Sequence, residues 1–323
     1  MHHPIFDKFQ PFSGDVPLGF THDYIGSISH QQLFKVTPPH VPHVTADLPP
    51  IDEEYFEWID VLESVFDSGD SYTIFELGAG YGRWSARAAV ASRQRGIKNI
   101  NIVAVEPEPR HFQFLEDHMR HNSISEKDCT LFQAAVGPKQ GLTALYIDKP
   151  NLKNEDNFDL ARDWYGQYIV DDPDDLALLD DRKLRKILYH SSKWQVTENS
   201  DFQETYEGFE VINFNHPGVK AIEIEQTTLE LLLTNYDFVN LVDMDIQGAE
   251  FDVIKSSARQ IDQKVKRLHI GTHSTEVEEN LYSLLSNLGW KCLNNYPFQS
   301  QVSTPFGDII FGDGVQSWIN PKI

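Results

Sequence analysis

The chain of 323 residues predicts an α/β fold built on a parallel sheet with crossover helices. Three observations predict it. Short apolar runs alternate with amphipathic stretches of helix length, a glycine-rich turn closes the first run, and an acid ends the second. A composition of 40% hydrophobic and 12% aromatic residues supplies the core that such a domain needs. The 49 acidic against 27 basic residues leave a formal charge of -22, which repels phosphodiesters and anionic lipid heads. Neither nucleic acid nor a membrane is an expected partner. Cys129 and Cys292 make neither a disulfide framework nor a zinc pattern, and Asp7, Lys8, Asp15 and Asp23 interrupt the first thirty residues. A cytoplasmic protein is expected.

Residues 1–50, with Pro38, Pro39, Pro42, Pro49 and Pro50, read as an irregular N-terminal arm, and 51–323 as the main domain. Tyr55, Ile59, Leu62 and Phe66 recur at helical steps, so a helix docks ahead of the main fold. Strands are expected at Thr73–Leu77, Ile100–Val105 and Thr130–Val136, with helices from about Arg83 and over Pro109–His121 between them. The alternation resumes with a helix near Thr228–Thr234, a strand Phe238–Asp245 and a helix from Gly248. A strand Val265–Ile270, a helix Val277–Leu288 and an antiparallel pair of Lys291–Tyr296 with Asp308–Val315 finish the pattern. Residues of about 148–210 read as an acidic insertion: 151–210 hold fifteen acidic and seven basic residues. The run Asp171 to Asp175 lacks the spaced ligands and turn glycine of a calcium loop, so it reads as a solvated cap.

The turn Glu76-Leu77-Gly78-Ala79-Gly80-Tyr81-Gly82 stands where a parallel sheet can bring backbone against a ligand. A dinucleotide fingerprint is G-x-G-x-x-G, but here the third glycine arrives one residue early. With Glu76 available to an ammonium and helix-start amides to a carboxylate, the spacing suits S-adenosylmethionine better than a pyrophosphate. Glu106, followed by Pro107, ends the second strand where a carboxylate accepts bonds from both ribose hydroxyls. The plainer alternative is a glycine turn that only packs helix on strand.

These segments, with Ala134-Ala135-Val136-Gly137, Asp245-Ile246-Gln247-Gly248-Ala249-Glu250 and Ile270-Gly271-Thr272-His273, resemble in order and spacing the FkbM-type methyltransferases. The resemblance covers about residues 52–316 and implies a class I, Rossmann-like fold: a seven-stranded, mostly parallel sheet with an antiparallel last strand. It implies an enzyme dependent on S-adenosylmethionine that methylates a hydroxyl of a sugar, polyketide or related metabolite. Carried onto this chain, Glu76, Gly78, Ala79, Gly80, Tyr81 and Gly82 would border the methionine end of the cofactor. Glu106 and Pro107 would border the ribose, and Gln133, Ala134 and Ala135 the adenine. Where the family usually has a lysine two residues before its strand-end aspartate, this chain has Asp243.

Methyl transfer is an in-line displacement, so positioning and exclusion of water are most of the catalysis, and an alcohol also benefits from a base. Asp245 and His273, at the ends of neighbouring strands, are the expected catalytic pair, with Asp245 also beside the cofactor. Glu250 reads as a helix cap. The pair also has the chemistry for a divalent ion such as magnesium, as in catechol-type O-methyltransferases, which the site distantly resembles, but two ligands do not define one. His111, His118 and His121 read as a solvated helix face, and Trp164, Tyr165, Trp194 and Tyr206 as a cover for the acceptor pocket or the insertion's own core. Two other classes compete: a nicotinamide-dependent oxidoreductase, and a non-catalytic nucleoside-binding module. The acidic wall favours neutral or cationic acceptors over polyanionic ones. Acceptor identity and oligomeric state are not legible.

Overall fold

Seven strands make the central sheet. They are β1 (Ser71–Leu77), β2 (Asn99–Val105), β3 (Cys129–Phe132), β4 (Val239–Met244), β5 (Val265–Thr272), β6 (Lys291–Tyr296) and β7 (Gly314–Ile319). The computed structural model describes residues 2–34, 38–147, 169–170, 205–213 and 220–323. Strand order is β6-β7-β5-β4-β1-β2-β3; β1 to β5 run parallel, and β7 is antiparallel to both its neighbours. This is the expected α/β fold with its reversed last strand. The order changes direction between β1 and β4, the point at which open α/β sheets bind ligands beyond their strand ends.

Because both faces of the sheet are covered, its inner strands are apolar on both sides. On one face Tyr72, Ile74 and Ile102 pack under helices α1 (Tyr55–Phe66), α2 (Arg83–Gln94) and α3 (Pro109–His121). On the other, Phe75, Leu77, Val103, Val242, Met244, Leu268 and Ile270 meet the short helix α4 (Leu229–Leu232), α5 (Glu250–Ser256), α6 (Ala258–Lys264) and α7 (Thr275–Asn287). The period-two alternation decides which residues share the α1 face: Glu76, Asp243 and His269 are cross-strand neighbours there. Helix ends follow local chemistry, with Glu108 capping α3 through the His111 amide at 2.7 Å before Pro109, and Ser274 capping α7 through Val277 at 3.2 Å.

Three expectations need correction. The first fifty residues are more than an irregular arm: Ser13–Asp15 pairs with His43–Thr45 and Phe20–His22 with Ile28–His30, while Ile5, Phe6, Phe9, Tyr24 and Ile25 enter the core beneath α1. The last strands pair differently. Lys291–Tyr296 lies against Gly314–Ile319, and Asp308–Phe311 forms its own hairpin with Ser300–Ser303, because the turn at Gly312 and Asp313 splits the segment read as one strand. The segment read as Thr130–Val136 also divides, since Ala135–Val136 leaves the central sheet to run parallel to Lys220–Thr227. That strand pairs along its length with Gly141–Ile147, and together with Ile169–Val170, Thr205–Tyr206 and Phe209–Asn213 they make a second, six-stranded sheet flanking the insertion. Among the described residues, no helix is long and apolar enough to cross a membrane.

Leu62, at the centre of α1, is fully enclosed by the sheet and the arm. Leu62→Ala is expected to cost about 2–5 kcal/mol in urea denaturation, without changing the slope of the transition.

Candidate functional site

The site forms where the ends of β1 and β4 cross. The Asp245 amide donates to the Leu77 carbonyl at 2.9 Å, and the amides of Gly78 and Ala79 donate to the Val105 carbonyl at 2.9 and 3.0 Å. A Cβ on Gly78 would stand 1.8 Å from the Asp245 carbonyl oxygen, so only glycine lets the two strand ends meet. Gly78, Gly80 and Gly82 hold φ of +79°, +55° and +75°, which winds the turn tightly into α2. Gly82 has a packing role: a Cβ there would sit 2.4 Å from Leu115 and 2.5 Å from Met119 of α3, and Gly82 is not part of the cavity wall. Gly78, Ala79, Gly80 and Tyr81 are.

Two carboxylates hold this loop. Glu76 accepts from the amides of Trp84 at 3.1 Å and Ser85 at 2.8 Å, anchoring the start of α2. Burial first, and then the charge of Asp243, push its carboxyl up to about 7. Glu106 takes the Gly80 amide on one oxygen at 2.7 Å and the Glu108 amide on the other at 2.8 Å. Each oxygen keeps a lone pair toward the cavity. Pro107, Ala134 and Ala135 also line it, whereas Gln133 is exposed and lies outside it.

The cavity measures about 210 Å³, and eight acidic residues line it against one arginine among the described residues. That arginine, Arg83, is paired with Glu54 and donates from Nε to the Tyr81 hydroxyl at 2.6 Å. Across the floor run Glu76, Asp243 and His269, roofed by Glu57 and Asp60 of α1. Burial pushes the neighbouring Glu57 and Asp243 carboxyls up, with the charge of Asp243 adding at Glu57 and the charges of Asp245 and Asp60 adding at Asp243, which reaches about 6. His269 Nδ1 lies 2.7 Å from Asp60 Oδ2, which also accepts from the Ser317 hydroxyl.

At the rim stands Asp245, its side chain 52% exposed. His273 Nε2 is 3.2 Å behind it, and His273 Nδ1 is 2.9 Å from the fully buried Glu250. Glu250 also accepts from the Gly248 amide at 2.9 Å, so the expected cap also orients the histidine. Burial alone would lower His273, but Glu250 and Asp245 outweigh it and raise its pKa well above the ordinary histidine range. Partial desolvation opposes ionisation of Asp245, yet the neighbouring His273 and the hydrogen bond donated by Gln247 at 2.9 Å hold its carboxyl below the usual carboxylate value. The two therefore form an ion pair with the carboxylate toward the cavity. His273 Nδ1 faces Glu250 and Nε2 faces Asp245, and the three side chains bring one donor atom each within 4.8 Å of one another, so the expected pair is part of a three-residue cluster.

The solvated histidine face is corrected. His111 and His118 are 2% and 1% exposed, because α3 lays that side on the glycine loop and the N-terminal hairpin; only His121 is exposed. His118 bonds Ser29 at 3.1 Å, and burial pushes its pKa down to about 3. His111 lines the cavity beside Glu106. The sequence reading also missed Glu57, Asp60, His269 and Asp313. The helical spacing of Glu57 and Asp60, and the alternation through Arg267, His269 and Gly271, were the available signals. Trp164, Tyr165 and Trp194 and the run Asp171–Asp175 lie outside the described residues. Tyr206 donates to Glu108 at 2.6 Å.

Residues 76–288 match the family described as Methyltransferase FkbM domain. A protein of Jannaschia sp. (strain CCS1) named "Putative methyltransferase" is 25% identical over 234 residues, covering 72% of this chain and 67% of its own. Among solved structures, the methyltransferase FkbM of Methylobacillus flagellatus KT aligns over 77% of this chain with 14% identity and a TM-score of 0.40. The alignment takes in 44% of that protein, less than half its length. The precorrin 8w decarboxylase of Methanobacterium thermoautotrophicum aligns over 90% of this chain and 97% of its own, with 10% identity and a TM-score of 0.38.

Because the Asp245 peptide leaves no room for a Cβ, Gly78→Ala is expected to destabilise the fold by about 1–3 kcal/mol. As Asp245 is displaced, the His273 imidazole should titrate nearer the ordinary histidine range, which chemical-shift titration by NMR would read.

Proposed function

We propose, from the premise that this chain belongs to the FkbM methyltransferase family, that it transfers the methyl group of S-adenosylmethionine to a hydroxyl of a small molecule or glycan. The observation that carries the reading is the placement of Asp245, which meets the glycine loop backbone on one side and the open cavity on the other. In this reading Gly78, Ala79, Gly80 and Tyr81 border the methionine end of the cofactor with Glu76, and Arg83 is the cation available to its carboxylate. Glu106 keeps lone pairs for ribose hydroxyls, and Pro107, Ala134 and Ala135 form the wall for the adenine. The residues present fit such a group, since a Cβ on Gly78 would close the loop and Glu106 is pre-set by two amides.

When bound, S-adenosylmethionine supplies a methyl carbon made electrophilic by a sulfonium. The protein has to hold the acceptor oxygen in line and take its proton. Asp245, at the rim, accepts the hydrogen bond and then the proton of the acceptor hydroxyl, and His273 behind it, once neutral, takes that proton on Nε2. Glu250 fixes the imidazole. With its pKa raised, His273 keeps its proton through neutral pH and loses it only as pH rises above the ordinary histidine range, so the proton-accepting form of the pair populates in alkaline solution. The eight acids of the wall favour a neutral or cationic acceptor.

Calorimetric titration is expected to show binding of S-adenosylmethionine and its demethylated product, and none of NAD or NADP. Binding of a nicotinamide cofactor would replace this reading with the oxidoreductase one. Asp245→Asn is expected to lower kcat by about 10²–10⁴-fold with cofactor affinity little changed. In the wild type kcat should climb on the alkaline side, and Glu250→Gln should move that rise to lower pH. Near-wild-type turnover in both Asp245→Asn and His273→Ala would remove the pair from the mechanism.

A further inference from the structure

We propose that Glu57, Asp243 and His269 form a binding site for a first-row divalent cation, distinct from the Asp245 and His273 pair at the rim. Each of the three residues offers a donor atom within 4.8 Å of the other two. Ligands about 2.0–2.2 Å from a single ion span at most about 4.4 Å, so a small inward adjustment of the side chains closes the set. Two carboxylates and one imidazole suit manganese or zinc better than calcium or magnesium, which prefer all-oxygen surroundings.

An independent observation points to a ligand. His269 is 3% exposed, and its Nδ1 is committed to Asp60 at 2.7 Å. Asp60 is itself fixed by the Ser317 hydroxyl. The remaining ring nitrogen, Nε2, makes no hydrogen bond among the described residues, and His269 lines the cavity. An imidazole held through one nitrogen by a carboxylate, with the other nitrogen left open, is the arrangement that metal-binding histidines use to set their tautomer and direction. His273 Nε2 likewise makes no hydrogen bond, but the carboxylates of Asp245 and Asp313 stand 3.2 and 3.7 Å from it.

The scaffold is rigid at each ligand. Asp243 and His269 are registered partners on the adjacent central strands β4 and β5, and Glu57 and Asp60 stand one turn apart on α1. Glu57 of the roof and Asp243 of the floor bring two carboxylates together at the buried end of the cavity, a costly meeting of like charges. A dication in that place would neutralise both carboxylates. The residue that makes this set possible is Asp243, which stands between Glu76 and His269 across the sheet. The proposal does not rest on methyl transfer.

The test is titration of the full-length protein with Mn²⁺, followed by the loss of the free-ion electron paramagnetic resonance signal and by calorimetry. One ion per chain is expected, displaced by Zn²⁺, with affinity falling at least tenfold in Asp243→Asn and in His269→Gln. Affinity should stay within about twofold in His273→Ala. Electron spin echo measurements on the wild type give a readout that needs no variant: bound Mn²⁺ should couple to one imidazole nitrogen. Absence of binding, binding without nitrogen coupling, or binding lost in His273→Ala but kept in His269→Gln would overturn the proposal. Titration of the same samples with S-adenosylmethionine reports separately on the methyltransferase reading.

Discussion

The structure depends on finding partners for charges carried beneath a helix. Helix α1 and its C-terminal cap Asp67 bring Glu57, Asp60, Glu63 and Asp67 to the sheet; Asp60 is buried, and desolvating a buried ion costs several kcal/mol unless it is answered. Arg267 of β5 answers two of them, reaching Glu63 at 2.9 Å and Asp67 at 2.5 Å. His269, two residues along the same face, answers Asp60. This seam locks α1 in rotation and height, because a helix turned by one residue would take the buried Asp60 away from His269 and Ser317. The position of α1 in turn sets the roof of the cavity and the surface on which the N-terminal hairpins rest.

The second constraint is the crossing of two strand ends. Leu77 and Asp245 share a backbone hydrogen bond, and Gly78 has no side chain because the Asp245 carbonyl occupies that space. The glycine loop and the rim carboxylate are thus one rigid piece. Distances across it are set by the sheet more than by flexible side chains, which is what in-line group transfer demands.

Much of this was legible in the chain. The apolar alternation gave the sheet, the early third glycine separated the loop from a dinucleotide fingerprint, and Asp245 and His273 fell at neighbouring strand ends as expected. Gly82 was legible as a glycine but not as a packing residue, since its reason lies in Leu115 and Met119, thirty-odd residues away. The second sheet escaped notice because its central pair, Gly141–Ile147 and Lys220–Thr227, is separated by the insertion, and no local turn announces the pairing. His111 and His118 were misjudged for a related reason: helical spacing tells which residues share a face, but not which face is covered. Glu57 and Asp60 look like ordinary solvated acids on an amphipathic helix until the sheet beneath shows a histidine and an arginine.

The hydrogen bond from Ser317 to Asp60 joins residues 257 positions apart. During synthesis, α1 leaves the ribosome long before the strands that hold its counter-charges, and β5 and β7 complete the seam nearly last. Until then the helix has acids with no reason to turn inward, and the cavity has no roof. The roof of the site is therefore complete only once β5 and β7 are in place. A nascent chain halted after β4 would carry the whole glycine loop but lack the counter-charges that hold α1 over it.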